Sequence, residues 1–183
     1  MTGEPLGKGT SFAGTVRVIA GMTSDTRWRE ALRPETRALV DNPPHASEWI
    51  ALSHEVHLVD VACRGDMRMA HALGWKTFAA DLNTVYRVFF KVFSPPFILS
   101  RVPQIYLTYY RENGAARVLE QSEGRAVIEV AGTRAHSAAW WETQRGSIHA
   151  GAAATRVRTC ETRFLKGGGE HDADAHIEVV WTR

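Results

Sequence analysis

Phe78-x-x-x-Leu82-x-x-Val85-Tyr86-x-x-Phe89-x-x-x-Phe93-Ser94-Pro95-Pro96 is the stretch on which the fold turns. The apolar residues recur at spacings of four, three, one, three and four, which sets them on one face of a helix. Lys76, Asp81, Asn83, Arg87 and Lys91 fall on its other faces. Proline restricts the residue before it and suits the first turn of a helix, so Ser94-Pro95-Pro96 ends this helix and caps another. The second runs from Phe97 to Asn113 with Pro103 inside, and is therefore kinked or split in two; Ile105, Tyr106, Tyr109 and Tyr110 form its apolar side, and Gly114 suits its end. Burying side chains of this size contributes roughly 1.5–3 kcal/mol each, so the helix–corner–helix unit supplies much of the core.

Working outward, residues 1–11 are glycine-rich and polar and are expected to form a loose arm. Phe12 to Gly21 predicts a short helix. Ser24 or Asp25 can cap one carrying Trp28 and Leu32, Pro34 opens a further turn, and Asn42-Pro43-Pro44 closes it. Ser47 to Cys63 reads as helix, with Leu52, Val56, Val59 and Cys63 sharing a face, and Gly65 and Gly74 bracket a short helix around Met67, Ala70 and Leu73.

After Gly114 the period changes to two. Arg117–Gln121 and Arg125–Ala131 predict a hairpin about Ser122-Glu123-Gly124. Ser137 starts a helix through Trp140, Trp141, Ile148 and Ala152, whose small residues Gly146, Ala150, Gly151 and Ala153 admit a close neighbour. Thr155–Phe164 and Asp174–Trp181 are further strands joined by a glycine-rich loop. Helices first and strands together afterwards predict an α+β fold: N-terminal helices packed on a largely antiparallel C-terminal sheet of about four strands, with one intervening helix, all in one domain over residues 1–183.

The chain has 183 residues, of which 44% are hydrophobic, enough for a core without disulfides or metals. Cys63 and Cys160 match no paired metal spacing and fit reduced thiols of a cytoplasmic protein. The start lacks the layout of a signal peptide, and no segment has the apolar length of a membrane span. A net charge of +2, with Glu30, Glu35 and Asp41 interleaved among Arg29, Arg33 and Arg37, argues against nucleic-acid binding.

No catalytic or metal motif emerges. His54, Glu55 and His57 resemble a zinc-protease helix, but the histidines stand three apart where that motif needs four, and the group reads as a solvated helix face. His171, Asp172, Asp174 and His176 read as a solvated hairpin tip. Ser147 and His149 lack a nucleophile elbow, and Gly7-Lys8-Gly9-Thr10 is too short for a phosphate loop. The aromatic residues remain. Tyrosines converging on an apolar helix pair suit the wall of a ligand pocket, or a dimer surface if exposed.

The arrangement Trp28-x-x-x-Leu32, Arg37-x-Leu39, Trp49, Leu73-Gly74, Tyr86-x-x-Phe89-x-Lys91, Ser94-Pro95, Pro103, Tyr109-Tyr110 and Gly114, with the ending Ile177-Glu178-Val179-Val180-Trp181, resembles an uncharacterised family described largely from myxobacteria. More distantly it is similar to the heme-nitric-oxide-binding, 4-vinyl reductase and TRAPP-subunit superfamily, which implies a mixed helical and antiparallel-sheet fold used for heme, small ligands, lipid or dimerisation. The residues depart from the heme-binding pattern: no histidine stands between Gly74 and Phe93, and Tyr106-Leu107-Thr108-Tyr109-Tyr110 lacks the arginine of the tyrosine, any, serine, any, arginine motif. The cysteines expected near the C-terminal hairpin of the 4-vinyl reductase domains are also missing, apart from Cys160.

The expectation is thus a non-catalytic, cytoplasmic sensor or carrier domain without cofactor or metal, binding a small apolar ligand through Tyr86, Phe89, Phe93, Tyr106, Tyr109 and Trp141. The alternatives are a homodimeric interaction module and an enzyme of unknown class.

Overall fold

The turn after Cys63 shows how local chemistry sets the helical half. Arg64 and Gly65 take left-handed backbone (φ 49° and 80°), reversing the chain, and the Asp66 carboxylate then accepts hydrogen bonds from the backbone N–H groups of Arg68 (2.9 Å) and Met69 (3.1 Å). The computed structural model describes residues 3–82 and 93–183. Within them the elements run β1 (Leu6–Lys8), α1 (Gly9–Met22), α2 (Arg27–Glu30), α3 (Pro34–Asp41), β2 (Trp49–Ala51), α4 (Leu52–Cys63), α5 (Met67–Asp81), α6 (Pro95–Leu99) and α7 (Val102–Tyr109). They continue β3 (Tyr110–Arg111), β4 (Ala115–Ser122), β5 (Arg125–Ala131), α8 (Ala138–Ala153), β6 (Thr159–Gly167) and β7 (Ala175–Thr182).

The expected α+β architecture is present: a four-stranded antiparallel sheet in the order β4-β5-β7-β6, with α8 inserted before its last two strands. Alternation explains its two faces. Ala126, Ile128 and Val130 of β5 and Ala175, Ile177, Val179 and Trp181 of β7 are buried on the inner side. On the outer side Glu178 lies between Arg125 (2.7 Å) and Arg163 (2.6 Å), and Glu129 is bound by Arg117 and His176.

The N-terminus corrects the sequence. Residues 1–11 are not a loose arm: Leu6–Lys8 is the middle strand of a second antiparallel sheet, β2-β1-β3, and α1 begins at Gly9. A three-residue strand is too short to show a period, and its partner β3 lies far downstream at Tyr110–Arg111. Two more corrections concern glycines. Gly74 does not end a helix; α5 runs through it from Met67 to Asp81. Gly114 does not cap a helix either, because α7 ends at Tyr109 and Tyr110–Arg111 pairs with β1; with φ +78°, Gly114 sits where a Cβ would meet the Ala131 carbonyl at 2.1 Å. The break at Pro103 does give two helices in series, α6 and α7, with Pro95 in the first turn after Ser94.

The reason for Gly74 is the crossing of α5 and α8. A Cβ on Gly74 would lie 2.0 Å from the Thr143 carbonyl oxygen, and one on Gly146 would lie 2.1 Å from the His71 carbonyl oxygen. The helices therefore meet backbone to backbone at two reciprocal points, as the small residues of α8 implied. Phe12, Ile19, Leu58, Val59 and Leu73 fill the core on the α1, α4 and α5 side; Leu52, Tyr106, Tyr110, Val130, Trp140 and Trp141 fill it toward the sheet.

Gly146→Ala is expected to lose about 1–3 kcal/mol or more in urea denaturation, because neither backbone can yield. Gly21→Ala, in the last turn of α1 with nothing within 4 Å of the added carbon, should be neutral or gain up to about 1 kcal/mol.

Candidate functional site

Between the α5–α8 crossing and the paired helices α6 and α7 the packing leaves a cavity of about 90 Å³, partly open to solvent. Its apolar wall is Ile98 and Leu99 of α6, Val102 and Ile105 of α7, Val130 of β5, and Ile148 and Ala152 of α8, with Phe78 of α5 beside Gly151. Gly151 matters for shape: a Cβ there would approach the Phe78 ring to 3.2 Å. The wall's other side is polar, formed by Thr77 and Asp81 of α5, Ser11 of α1, Tyr109, Tyr110, Gln144 and Ser147.

Those polar groups are mostly bonded to one another. Tyr109 Oη donates to Asp81 Oδ2 (3.1 Å), Gln144 Nε2 donates to Tyr110 Oη (2.9 Å), and Ser147 Oγ donates to the Gly74 carbonyl (3.2 Å). Ser11 Oγ donates to Glu55 Oε1 (3.0 Å) and lies within reach of the Tyr110 hydroxyl. Thr77 Oγ1 is buried and has no hydrogen-bond partner among the described residues; the same holds for Glu55 Oε2. Burial pushes the Glu55 carboxyl up to about 7 against the pull of the Ser11 hydroxyl, with the Asp81 charge raising it further. It raises Asp81 as well, opposed by the Tyr109 hydroxyl and by Arg17. The hydroxyls of Tyr106 and Tyr110 are pushed upward by burial, so both remain neutral phenols.

Of the expected site residues, Tyr106 and Tyr109 reach this cavity. Tyr106 shows it only its ring, because its hydroxyl donates to the Asn113 carbonyl (2.7 Å). Phe93 is elsewhere, stacked on Phe97 at 4.3 Å between centroids, and Trp141 is core, fully buried, with Nε1 donating to the Asp172 carbonyl (2.9 Å). Neither Phe93 nor Trp141 lines the cavity. Tyr86 and Phe89 lie outside the described residues. The polar half of the site was not foreseen. Asp81 falls outside the apolar face of its helix in the sequence pattern, yet it lines the cavity.

Glu55 corrects the sequence most sharply: far from lying on a solvated face, it is only 5% exposed, turned inward beneath Gly7 and Ser11. Its neighbours in sequence go the other way. His54 Nδ1 meets Thr36 Oγ1 (3.0 Å) and His57 Nε2 accepts from the Arg33 backbone N–H (3.1 Å), so the three do not converge. At the C-terminal hairpin Asp172 accepts from the Gly169 N–H and Asp174 from the Gly132 N–H, while His176 turns to Glu129. Among the described residues no three His, Cys, Asp or Glu side chains gather as for a metal. Ser147 and His149 part company too: His149 Nε2 meets the Cys160 carbonyl (2.8 Å) and Nδ1 meets His71 Nε2 (3.3 Å). Cys63 is a buried free thiol and Cys160 a half-buried one. No described helix is long and apolar enough to cross a membrane.

This order of helices, small N-terminal sheet and four-stranded C-terminal sheet is the architecture of H-NOX (heme-nitric oxide binding) domains. Among solved structures the chain is similar to the unliganded Fe(II) H-NOX protein of K. algicida, with a TM-score of 0.68 and 11% identity over 96% of this chain and 97% of that one. It is also similar to a mutant of T. Tengcongensis H-NOX (TM-score 0.69, 10% identity, 96% and 98% covered). A third is an oxygen-binding H-NOX domain related to soluble guanylate cyclases, in its oxygen complex (TM-score 0.67, 10% identity, 96% and 95% covered). The sequence matches no protein-family model and no curated protein. At such identities the likeness establishes the fold.

The buried carboxyl gives a test with a definite sign. Below about pH 4.5 Glu55 is protonated folded and unfolded; between 4.5 and 7 the folded protein holds a proton the unfolded chain has released, so stability falls as pH rises, and above 7 the buried charge costs about 3 kcal/mol. His71 works oppositely: burial lowers it to about 4, and its contribution is lost as pH falls from 6.5 through 4. The variant therefore isolates the effect better than the wild-type curve. Urea melts of Glu55→Gln should gain on the wild type progressively from pH 4.5 to 8; a difference constant across that range would contradict the burial of an ionisable group.

Proposed function

We propose that this chain is a non-catalytic sensor or carrier domain that takes a small, largely apolar molecule in the cavity beneath Tyr106 and Tyr109, and that it does so without heme. The observation that carries the proposal is the cavity itself: apolar along α6, α7 and α8, polar along one side, and set inside an H-NOX fold. Such a lining excludes water from most of a ligand and leaves a few polar groups to orient it.

Heme is named for neighbours of this fold, and the residues here do not suit it. A cavity of about 90 Å³ falls well below the roughly 300 Å³ at which pockets for larger ligands begin. No His, Cys or Met stands among the described lining residues. Tyrosine can ligate heme iron. Here the Tyr106 hydroxyl donates to a backbone carbonyl, that of Tyr109 donates to Asp81, and burial of Tyr110 opposes the phenolate. The His71–His149 pair joins α5 to α8 by its own hydrogen bond, outside the lining. The space instead suits molecules of a few heavy atoms, since an apolar cavity of about 150 Å³ holds benzene. Tyr86 and Phe89 are retained in the proposal as ring-bearing residues of the same segment.

Thermal melts with a panel of molecules of about three to six heavy atoms, and separately with hemin, test this. The small molecules should raise Tm in step with the logarithm of their concentration, adding about 2.7 kcal/mol of stability at a hundredfold excess over Kd. Val102→Phe, which fills the apolar wall, should abolish the shift while retaining the fold. One-to-one hemin binding with an axially ligated spectrum, or an undiminished shift in Val102→Phe, would overturn the proposal.

A further inference from the structure

The polar side of the cavity carries a sign. Thr77 and Asp81 stand four residues apart on α5, one helical turn, so both side chains leave the same face and both line the cavity. Opposite them are the hydroxyl of Tyr110 and the amide of Gln144, with the Glu55 carboxyl one hydrogen bond behind Ser11. No Lys, Arg or His is among the described lining residues. Arg17 acts on Asp81 from the exposed face of α1, where solvent screens it, and the group that donates to the carboxylate is the neutral Tyr109 hydroxyl.

From this geometry we infer that the ligand of the cavity is a small primary amine in its ammonium form, its alkyl chain against Val102, Ile148 and Ala152 and its head between Asp81 and Thr77. This rests on the cavity being a ligand site, as proposed above, and adds the chemical class.

Three observations support it. First, acceptors dominate the polar side. An ammonium has three donors and no acceptor, and Asp81 and the unpartnered Thr77 Oγ1 can take two of them. Second, the sign of the charge discriminates. A carboxylate ligand would stand beside Asp81 with no Lys, Arg or His among the described lining residues to offset it, and like charges so placed repel. An ammonium instead supplies the opposite charge that no described lining residue offers Asp81; charge-assisted hydrogen bonds of this kind are roughly twice as strong as neutral ones. Third, desolvation does not cancel this gain, because the cavity is partly open and the third N–H can remain hydrated. The volume then sets the tail: about 90 Å³ is less than a benzene-sized site, which suits roughly three to five carbons.

Titration of the isotope-labelled full chain with n-butylammonium, 1-butanol and butyrate, followed by NMR at the Val102 and Ile148 methyl groups, tests both levels. At pH 7 the expected order is butylammonium at least about tenfold tighter than butanol, with butyrate weakest. Asp81→Asn should bring amine and alcohol within about threefold of each other while butanol affinity holds; Thr77→Val, with the carboxylate intact, should weaken both but keep the amine ahead. Circular dichroism checks that each variant folds, and Thr77→Val, which leaves the Asp81–Tyr109 bond in place, serves if Asp81→Asn does not. Butyrate binding as tightly as butylammonium, or an amine preference that survives Asp81→Asn, would overturn the ammonium assignment while leaving the cavity as a ligand site. If none of the three moves those methyl signals, the cavity reading fails, and this inference with it.

Discussion

Two helices that touch through their backbones organise everything else in this protein. At Gly74 and Gly146 the α5 and α8 chains leave no room for a side-chain carbon. Helices separated by ordinary side chains pack at about 8–10 Å between axes, so this contact draws the pair unusually close. That closeness has a geometric consequence: two helices tight at one crossing diverge away from it, and the space beyond must be filled from elsewhere. On the α1 and α4 side Phe12, Leu58 and Leu73, all buried, pack into it. Toward α6 and α7 the filling is incomplete, Gly151 adds no side chain beside Phe78, and the cavity results.

The polar groups follow from the same arrangement. Thr77 and Asp81 lie on the two successive turns of α5 past the crossing, and Gln144 and Ser147 lie on the turns of α8 that flank Gly146. Once drawn into a half-buried space they must pair or stay costly, and most pair, with Tyr109, Tyr110 and the Gly74 carbonyl. Glu55 completes the set from α4 through Ser11. A buried carboxyl with one free oxygen costs stability once it ionises, because nothing among the described residues pairs its charge.

Much of the fold was legible because its signals are local. The alternation in Arg125–Ala131 and Asp174–Trp181, the proline at Pro103 and the Ser137 cap each announce themselves within a few residues, and the sheet, the α6–α7 break and α8 follow. What was hidden depends on partners distant in sequence. Leu6–Lys8 is a strand only because Trp49–Ala51 and Tyr110–Arg111 flank it. Gly74 reads as a helix end until Thr143 is placed against it. The site was half visible: rings at Tyr106 and Tyr109 stand out by helical spacing, whereas Asp81 falls off the apolar face of its helix and Glu55 reads as part of a solvated one. Phe93 and Trp141 carried the same aromatic signal into a ring stack and the core, because periodicity tells which face is apolar and not what covers it.

The likeness to H-NOX domains then has a specific meaning: the scaffold is shared, while the described cavity is small, lacks a nitrogen or sulfur ligand for iron, and presents acceptors. Xenon reports such a space most directly, since it enters small apolar cavities by fit alone. Crystals pressurised with xenon should show a single strong anomalous peak between Val102, Ile148 and Ala152, absent in Val102→Phe. A map with no xenon there and those side chains closed against one another would contradict the account.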